Sequence, residues 1–472
     1  MSMRLDALLA AAGVEPIESG GPPPEIAAIA LDTRAVGPGA LFCCVRGGRA
    51  DGHDLVRDAV AAGAVAVLVD RPVDAPVPQV RVPDVRAALG PVAAAFWDHP
   101  SRSLAVVGVT GTSGKTTTTH LLGSVLDSAG WPTTVVGTLS GPRTTPEAPE
   151  LQQQLAAARD AGQRAVAMEV SSHALVMGRV RGTRFAVAVF TNLSHDHLDF
   201  HRDMDDYFEA KAMLFTPELS QQAIVNLDDP RGRELARRAA IPTEGFALAD
   251  AQDLRVGPTS CSFRWRGHPV QLRLGGRFNV ANALAAATAA AALGLPEAAI
   301  ARGLSAAPGV PGRFEAVEAG QPFSVIVDYA HKPGALEDAL AAARDATDGG
   351  RILLVVGAGG DRDPTKRPEM GAVAARLADR VVLTSDNPRD EDPLAIIDAI
   401  RSGMPATASV VVEPDRARAI AVALGEAVAG DVVVIAGKGH EAVQVAAGET
   451  RPFDDRDVAR RALDTLRGSG AW

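Results

Sequence analysis

The stretch LAVVGVTGTSGKTT at residues 104–117 constrains the fold of this chain more than any other. Leu104–Val109 is an apolar run of the kind that forms a fully buried strand. A Gly/Thr loop ends it, and a helix begins at Lys115. A buried strand feeding a helix through so short a loop belongs to a mostly parallel sheet covered by helices on both faces. The loop also has a chemistry. Glycines let backbone N–H groups approach an anion, and the helix N-terminus adds its dipole. Lys115 offers a charge to the outer phosphates of a nucleotide, and the Thr116 hydroxyl suits Mg2+. The candidate phosphate contacts are Gly111, Thr112, Ser113, Gly114, Lys115, Thr116 and Thr117. Val109 stands where the common P-loop pattern has its first glycine, so the motif is the tighter form GTSGKT.

Strand-like and helix-like windows alternate on either side. Ala40–Val45 and Ala64–Val69 read as strands around a helix at Leu55–Ala62, and Pro72, Pro76, Pro78 and Pro83 punctuate the segment after them. Further strands read at Thr133–Thr138, Ala165–Val170, Val187–Asn192 and Ala223–Leu227. Ser260–Trp265 and Val270–Leu274 alternate like a hairpin, Val280–Leu293 is an Ala-rich helix, and Ala307–Gly312 is a linker. A second doubly wound alternation comes next, with strands at Ser324–Asp328, Ile352–Gly357, Val381–Ser385, Ser409–Val412 and Val432–Ala436. At about 150 residues per domain the length predicts about three domains. The punctuation places them at 1–100, 101–311 and 312–472.

Composition excludes several classes. Lys+Arg 47 against Asp+Glu 57 gives a net charge of −10, so no basic surface for nucleic acid or membranes is expected. Hydrophobic residues at 47% suffice for large cores, while aromatics at 4% leave those cores to Ala, Val and Leu. Cys43, Cys44 and Cys261 make neither a disulfide framework nor a CxxC zinc pair. The longest apolar run, Ala281–Leu295, is short for a membrane span. The expectation is a cytoplasmic protein.

Two clusters fall at the carboxyl ends of expected strands, the edge where open α/β sheets bind ligands. They are EVSSHAL at 169–175 and TNLSHDHLDFH at 191–201. Glu169 and His197 could meet there and hold a divalent ion. The His-rich stretch leaves zinc open as a competitor, although no thiolate accompanies it. It also leaves open that His195 and His201 are ordinary structural histidines. Lys211, in YFEAKAMLF, reads by itself as a helix-surface lysine.

Ten segments in order resemble the Mur ligases, which add amino acids to the UDP-linked peptidoglycan precursor. They are GTSGKTTTT (111–119), EVSSHAL, TNLSHDHLDFH, AKAMLF (210–215), GRFNVANALAA (276–286), PGRFE (311–315), DYAHKP (328–333), GGDRD (359–363), DNPR (386–389) and GKGHE (437–441). The resemblance runs essentially the whole length. DNPRDEDP followed by GKGHE is most similar to the branch that adds the third residue, meso-2,6-diaminopimelate, to UDP-N-acetylmuramoyl-L-alanyl-D-glutamate. The alternatives are a sister ligase adding L-lysine or D-Ala-D-Ala, a folylpolyglutamate synthase-like enzyme, or a non-ligating nucleotide-binding relative.

The resemblance implies an α/β chain of three domains. These are a small α/β domain for the uridine end, a central P-loop-type ATPase domain with a parallel sheet, and a C-terminal Rossmann-like domain for the incoming amino acid. It implies ATP and Mg2+, with Lys115 on the phosphates, and with Thr116, Glu169, His197 and a carbamylated Lys211 on the metal. Lys115, Glu169, His197 and Lys211 are the catalytic set. Asn279 and Asn282 fall near the adenine, and Arg313 and Asp328 near the phosphates and ribose. Thr33, with its neighbours Asp32 and Arg34, and Asp51-Gly-His53 fall in the uridine region. Thr144, Thr145, Ser171 and Arg179 match contacts to the muramoyl-dipeptide. Arg362, Asp386, Asn387, Pro388, Arg389, Gly437 and Glu441 match the diaminopimelate pocket. Met177, Thr33 and His195 stand where the family usually has Gln, Ser and Arg. The partners implied are these small molecules, with no nucleic acid and no membrane insertion, and the chain is expected to act as a monomer.

Overall fold

The computed structural model describes residues 2–19, 21–47, 50–345, 347 and 349–470. Its contacts group into two compact units, one of residues 1–111 and 130–245 and the other of residues 112–129 and 246–472.

The first unit holds two mainly parallel sheets. In the N-terminal one, Gln79–Arg81, Ala64–Val69, Ala40–Cys43 and Ala28–Ala30 lie side by side and parallel. In the other the order is Ala223–Asn226, Val187–Phe190, Ala105–Thr110, Ala165–Glu169, Thr133–Val136, again parallel. Ala105–Thr110 is central because its Val106, Val107 and Val109 are buried whichever face they point to, as a strand covered on both sides requires. The helix Val85–Phe96 carries Pro91 in its interior and is capped by Asp84, whose side chain accepts from the Arg86 and Ala87 amides. Local pattern does not mark this helix, since proline normally signals a break.

The second unit starts from the helix Lys115–Ser128, which packs on Arg277–Ala292 and Glu297–Ala306. Four consecutive threonines, Thr116 to Thr119, are poor helix formers, yet all are buried. Tertiary packing overrides propensity here, and the Thr119 hydroxyl donates back to the Lys115 and Thr116 carbonyls. The Ala-rich face of 277–292 admits this close approach. Cys261–Trp265 and His268–Leu272 form the expected hairpin, with the second strand two residues earlier than its alternation suggests and Gln252–Val256 added as a third strand.

The second sheet of this unit runs Glu315–Ala316, Ser324–Asp328, Val432–Ala436, Ile352–Val356, Arg380–Leu383, Val410–Val412, parallel except for the first strand. The five parallel strands are those read from the sequence to within two residues. All three cysteines are buried and free. Among the described residues no helix is long and apolar enough to cross a membrane.

Candidate active site

The phosphate loop follows Thr110. Gly111 has φ +152°, and a Cβ there would lie 1.9 Å from the Thr191 hydroxyl. Gly114, with φ +83°, starts the helix, and a Cβ on it would lie 2.3 Å from Asn282 Oδ1. Both positions therefore require glycine, for conformation and for space. Lys115 Nζ donates to the Thr112 carbonyl at 2.8 Å, curling the ammonium over the loop. The buried Asn282 amide donates to Asn279 Oδ1 at 3.1 Å, and Asn279 donates to the Gly275 carbonyl at 2.8 Å. The two asparagines expected near the adenine thus form a buried bracket behind Gly114.

Arg313 reaches the same helix start, donating to the Thr116 hydroxyl at 3.2 Å, with its guanidinium 4.6 Å from the centre of the Tyr329 ring. Asp328 accepts from the Phe314 and Ala330 amides, at 2.7 and 2.8 Å, and burial pushes its carboxyl above the usual range.

In the first unit Glu169 ends a strand and is buried. Its Oε1 accepts from the Thr138 amide at 2.8 Å, and its carbonyl accepts from the Thr145 hydroxyl at 2.9 Å. His197 has φ +54° and sits in an aromatic cluster, 5.0 Å from the His173 ring and 5.8 Å from the Tyr207 ring. His201 is buried and satisfied by the Ser172 hydroxyl at 2.9 Å, which is the structural reading left open for it, while His195 is exposed. Among the described residues no group of three His, Cys, Asp or Glu side chains could hold a metal.

Lys211 corrects a sequence reading. It is no surface lysine but 1% exposed, because its helix turns that face inward. Nζ donates to the Gly111 carbonyl at 2.8 Å and lies 4.4 Å from the Tyr207 ring centre. A lysine buried against Gly111 is a placement that its chemical type alone argues against.

For the precursor residues, Thr144 and Thr138 hydroxyls are 3.1 Å apart, the Ser171 hydroxyl caps a short helix, and Arg179 pairs with Glu147 at 2.8 Å. Met177, where the family has Gln, brings its sulfur 3.3 Å from Arg179. Asp32 accepts from the Arg34 amide at 2.9 Å, fixing the turn that carries Thr33. His53 is buried between Asp51, 2.6 Å away, and Asp70, 3.1 Å away, a framework role for that motif.

The C-terminal motifs converge at the carboxyl edge of their sheet. Asn387 donates to Glu441 Oε2 at 2.7 Å, and Gly437 lies against Asp386, where a Cβ would come within 2.5 Å of the carboxylate. Pro388 is buried, its carbonyl against Gly360. Arg389 is half-buried and donates to the Gly360 carbonyl. It makes no pair with Glu391, which Arg367 takes at 2.9 Å. Arg362 is exposed beside Gly359. Sequence reasoning missed two buried cations here. Lys438 lies inside GKGHE, and Arg416 pairs with Asp455 at 2.7 Å with both side chains fully buried. For Lys438 the available signal was a charge two residues after the apolar run VVVIA.

Residues 25–97, 109–290 and 312–439 match the family descriptions "Mur ligase family, catalytic domain", "Mur ligase middle domain" and "Mur ligase, glutamate ligase domain". A UDP-N-acetylmuramoyl-L-alanyl-D-glutamate--2,6-diaminopimelate ligase of Streptomyces coelicolor is 48% identical over 475 residues, 94% of each chain. One of the same name from Bacillus licheniformis is 41% identical over 98% of this chain and 100% of its own. A solved structure of a ligase so named superposes with a TM-score of 0.70 at 31% identity, covering 99% of this chain and 100% of that one.

Proposed function

The chain belongs to the Mur ligase family, and we propose that it is an ATP-dependent ligase joining meso-2,6-diaminopimelate to UDP-N-acetylmuramoyl-L-alanyl-D-glutamate, a step of peptidoglycan precursor synthesis in the cytoplasm. Arg389 carries the choice of amino acid. It is half-buried, no described carboxylate pairs with it, and the Glu441–Asn387 pair belongs to the same loops. Such a guanidinium suits the distal carboxylate of diaminopimelate, which it can hold with two parallel N–H bonds, and Glu441 suits the distal ammonium. L-Lysine would satisfy only the second.

The chemistry follows from the phosphate loop. The D-glutamate carboxylate of the precursor attacks the γ-phosphorus of ATP, ADP leaves, and an acyl phosphate forms. The amine of diaminopimelate then attacks the acyl carbon, inorganic phosphate leaves, and the amine proton goes to a base. Lys115 and the loop amides take the charge that spreads over the transferring phosphoryl group. Two anions brought to about 4 Å repel by roughly 4 kcal/mol at an effective dielectric of 20, so cations must accompany the approach.

Glu169, His197 and Lys211 would hold Mg2+, which would supply charge neutralisation. The donor set would fit a hard cation once Lys211 is carbamylated, because two of the three donors would then be oxygen ligands. A carbamate keeps one N–H on Nζ for the Gly111 carbonyl that Nζ already faces at 2.8 Å, and turns a buried cation into a carboxylate. The reading also takes 1–100, 101–311 and 312–472 as the domains for precursor, ATP and amino acid.

The test is a product assay with ATP, Mg2+, the UDP-dipeptide and diaminopimelate, L-lysine or D-Ala-D-Ala. The expected result is ADP and a UDP-tripeptide with diaminopimelate alone. Ligation of L-lysine or D-Ala-D-Ala in its place, or nucleotide binding without an amide product, overturns the reading.

A further inference from the structure

We propose that Lys438, which none of the motif assignments uses, is the positioning residue that sets the amino-acid pocket for a zwitterionic side chain; this rests on the function proposed above. The Lys438 side chain is 0% exposed, so it does not touch substrate. Its ammonium donates to Asn387 Oδ1 at 3.0 Å, to the Val443 carbonyl at 2.6 Å and to Glu441 Oε2 at 3.3 Å, and stands 3.9 Å from Asp386 Oδ1. Each contact has a consequence.

Asn387 Oδ1 also accepts from the Val445 amide at 3.0 Å. With two donors on Oδ1, the carboxamide has one orientation, and its Nδ2 must face Glu441, which it does at 2.7 Å. Lys438 and Asn387 therefore both donate to Oε2 of Glu441. Oε1 accepts from no described residue, and it is the oxygen left for the distal ammonium of the substrate. The same lysine is the nearest cation to Asp386 apart from Arg416, whose charge Asp455 already balances. Without Lys438 the Glu441 and Asp386 carboxyls would lose the cation they share, and the amide of Asn387 would lose a donor that orients it. The Val443 carbonyl ties the same ammonium to the strand Val443–Ala446, which carries the backbone contacts of Arg389. One buried charge thus aligns the groups for both ends of the distal amino-acid moiety.

The experiment measures steady-state ligation by wild-type enzyme and by Lys438→Met, which keeps the length and removes the charge. Wild-type enzyme that does not join diaminopimelate overturns the function itself. Where wild type does, Lys438→Met is expected to raise the KM for diaminopimelate about 30-fold while moving the KM for ATP and for the UDP-dipeptide less than about threefold. An unchanged KM for diaminopimelate, or a parallel loss for all three substrates, overturns the Lys438 assignment alone. Should Lys438→Met fail to fold, the charge-matched pair Lys438→Met with Glu441→Gln is compared with Glu441→Gln alone. If Lys438 acts by aiming Glu441, the second substitution changes the KM for diaminopimelate less than about threefold; a multiplied effect overturns the assignment.

Discussion

Replacing Arg389 by alanine isolates the part of amino-acid recognition that separates diaminopimelate from lysine. The side chain is preset. Arg389 donates its amide to the Val445 carbonyl at 3.0 Å and accepts from the Ala447 amide at 2.6 Å, and one guanidinium nitrogen donates to the Gly360 carbonyl. Its φ of +52° is strained for any L-residue, so alanine inherits the same backbone cost and the comparison reads the side chain alone. A bidentate pair with a carboxylate makes two charge-assisted bonds of about 1.5–3 kcal/mol each. Half-burial places the total near the low end, about 3 kcal/mol, or roughly 150-fold in kcat/KM. Lysine has no distal carboxylate, so its kcat/KM should change less than about threefold, and the diaminopimelate-to-lysine ratio should fall about 100-fold. Arg389→Lys should recover only part of the ratio, since a point charge cannot make the parallel pair. The assay is initial-rate ADP release with product mass as a check. Equal losses for both amino acids, or an unchanged ratio, would refute the reasoning.

Gly111→Ala should abolish ATP-dependent turnover, because its Cβ would fall 1.9 Å from the Thr191 hydroxyl; a variant with more than about a tenth of wild-type turnover would contradict this. Asp455→Ala leaves the Arg416 guanidinium buried without its counter-charge and should cost about 3–5 kcal/mol by urea denaturation. A loss under about 1 kcal/mol would mean the pair matters little. Burial holds His331 at a pKa of about 3 and His440 at about 4, below the unfolded value of about 6.5. Between about pH 6.5 and 4 the unfolded chain binds protons that the folded one does not. Stability should therefore fall on acidification through that window, by up to about 1.4 kcal/mol per pH unit for each histidine. His331→Asn should flatten the thermal midpoint against pH from 7 to 4.5, and an unaltered slope would exclude this contribution.

Local pattern carried far in this chain. The buried-strand runs marked most of the parallel strands to within a residue or two, missing Ala28–Ala30 and Gln79–Arg81, and placed the phosphate loop and Glu169 at strand ends. That works because strand burial and loop chemistry are written in neighbouring residues. What failed was everything that depends on distant neighbours. Pro91 sits inside a helix, which local rules forbid. Lys211 has the sequence surroundings of a surface lysine, and only the fold turns it onto Gly111, one hundred residues away. Lys438 looks like one more charge in a glycine-rich loop until the strands on either side close its ammonium in with Asn387, Glu441 and Asp386. Architecture and nucleotide use were legible in the amino-acid order, because periodicity and the phosphate loop are local. Which charges are buried, and what they face, emerged only on folding, because desolvation is set by contacts between residues far apart in the chain.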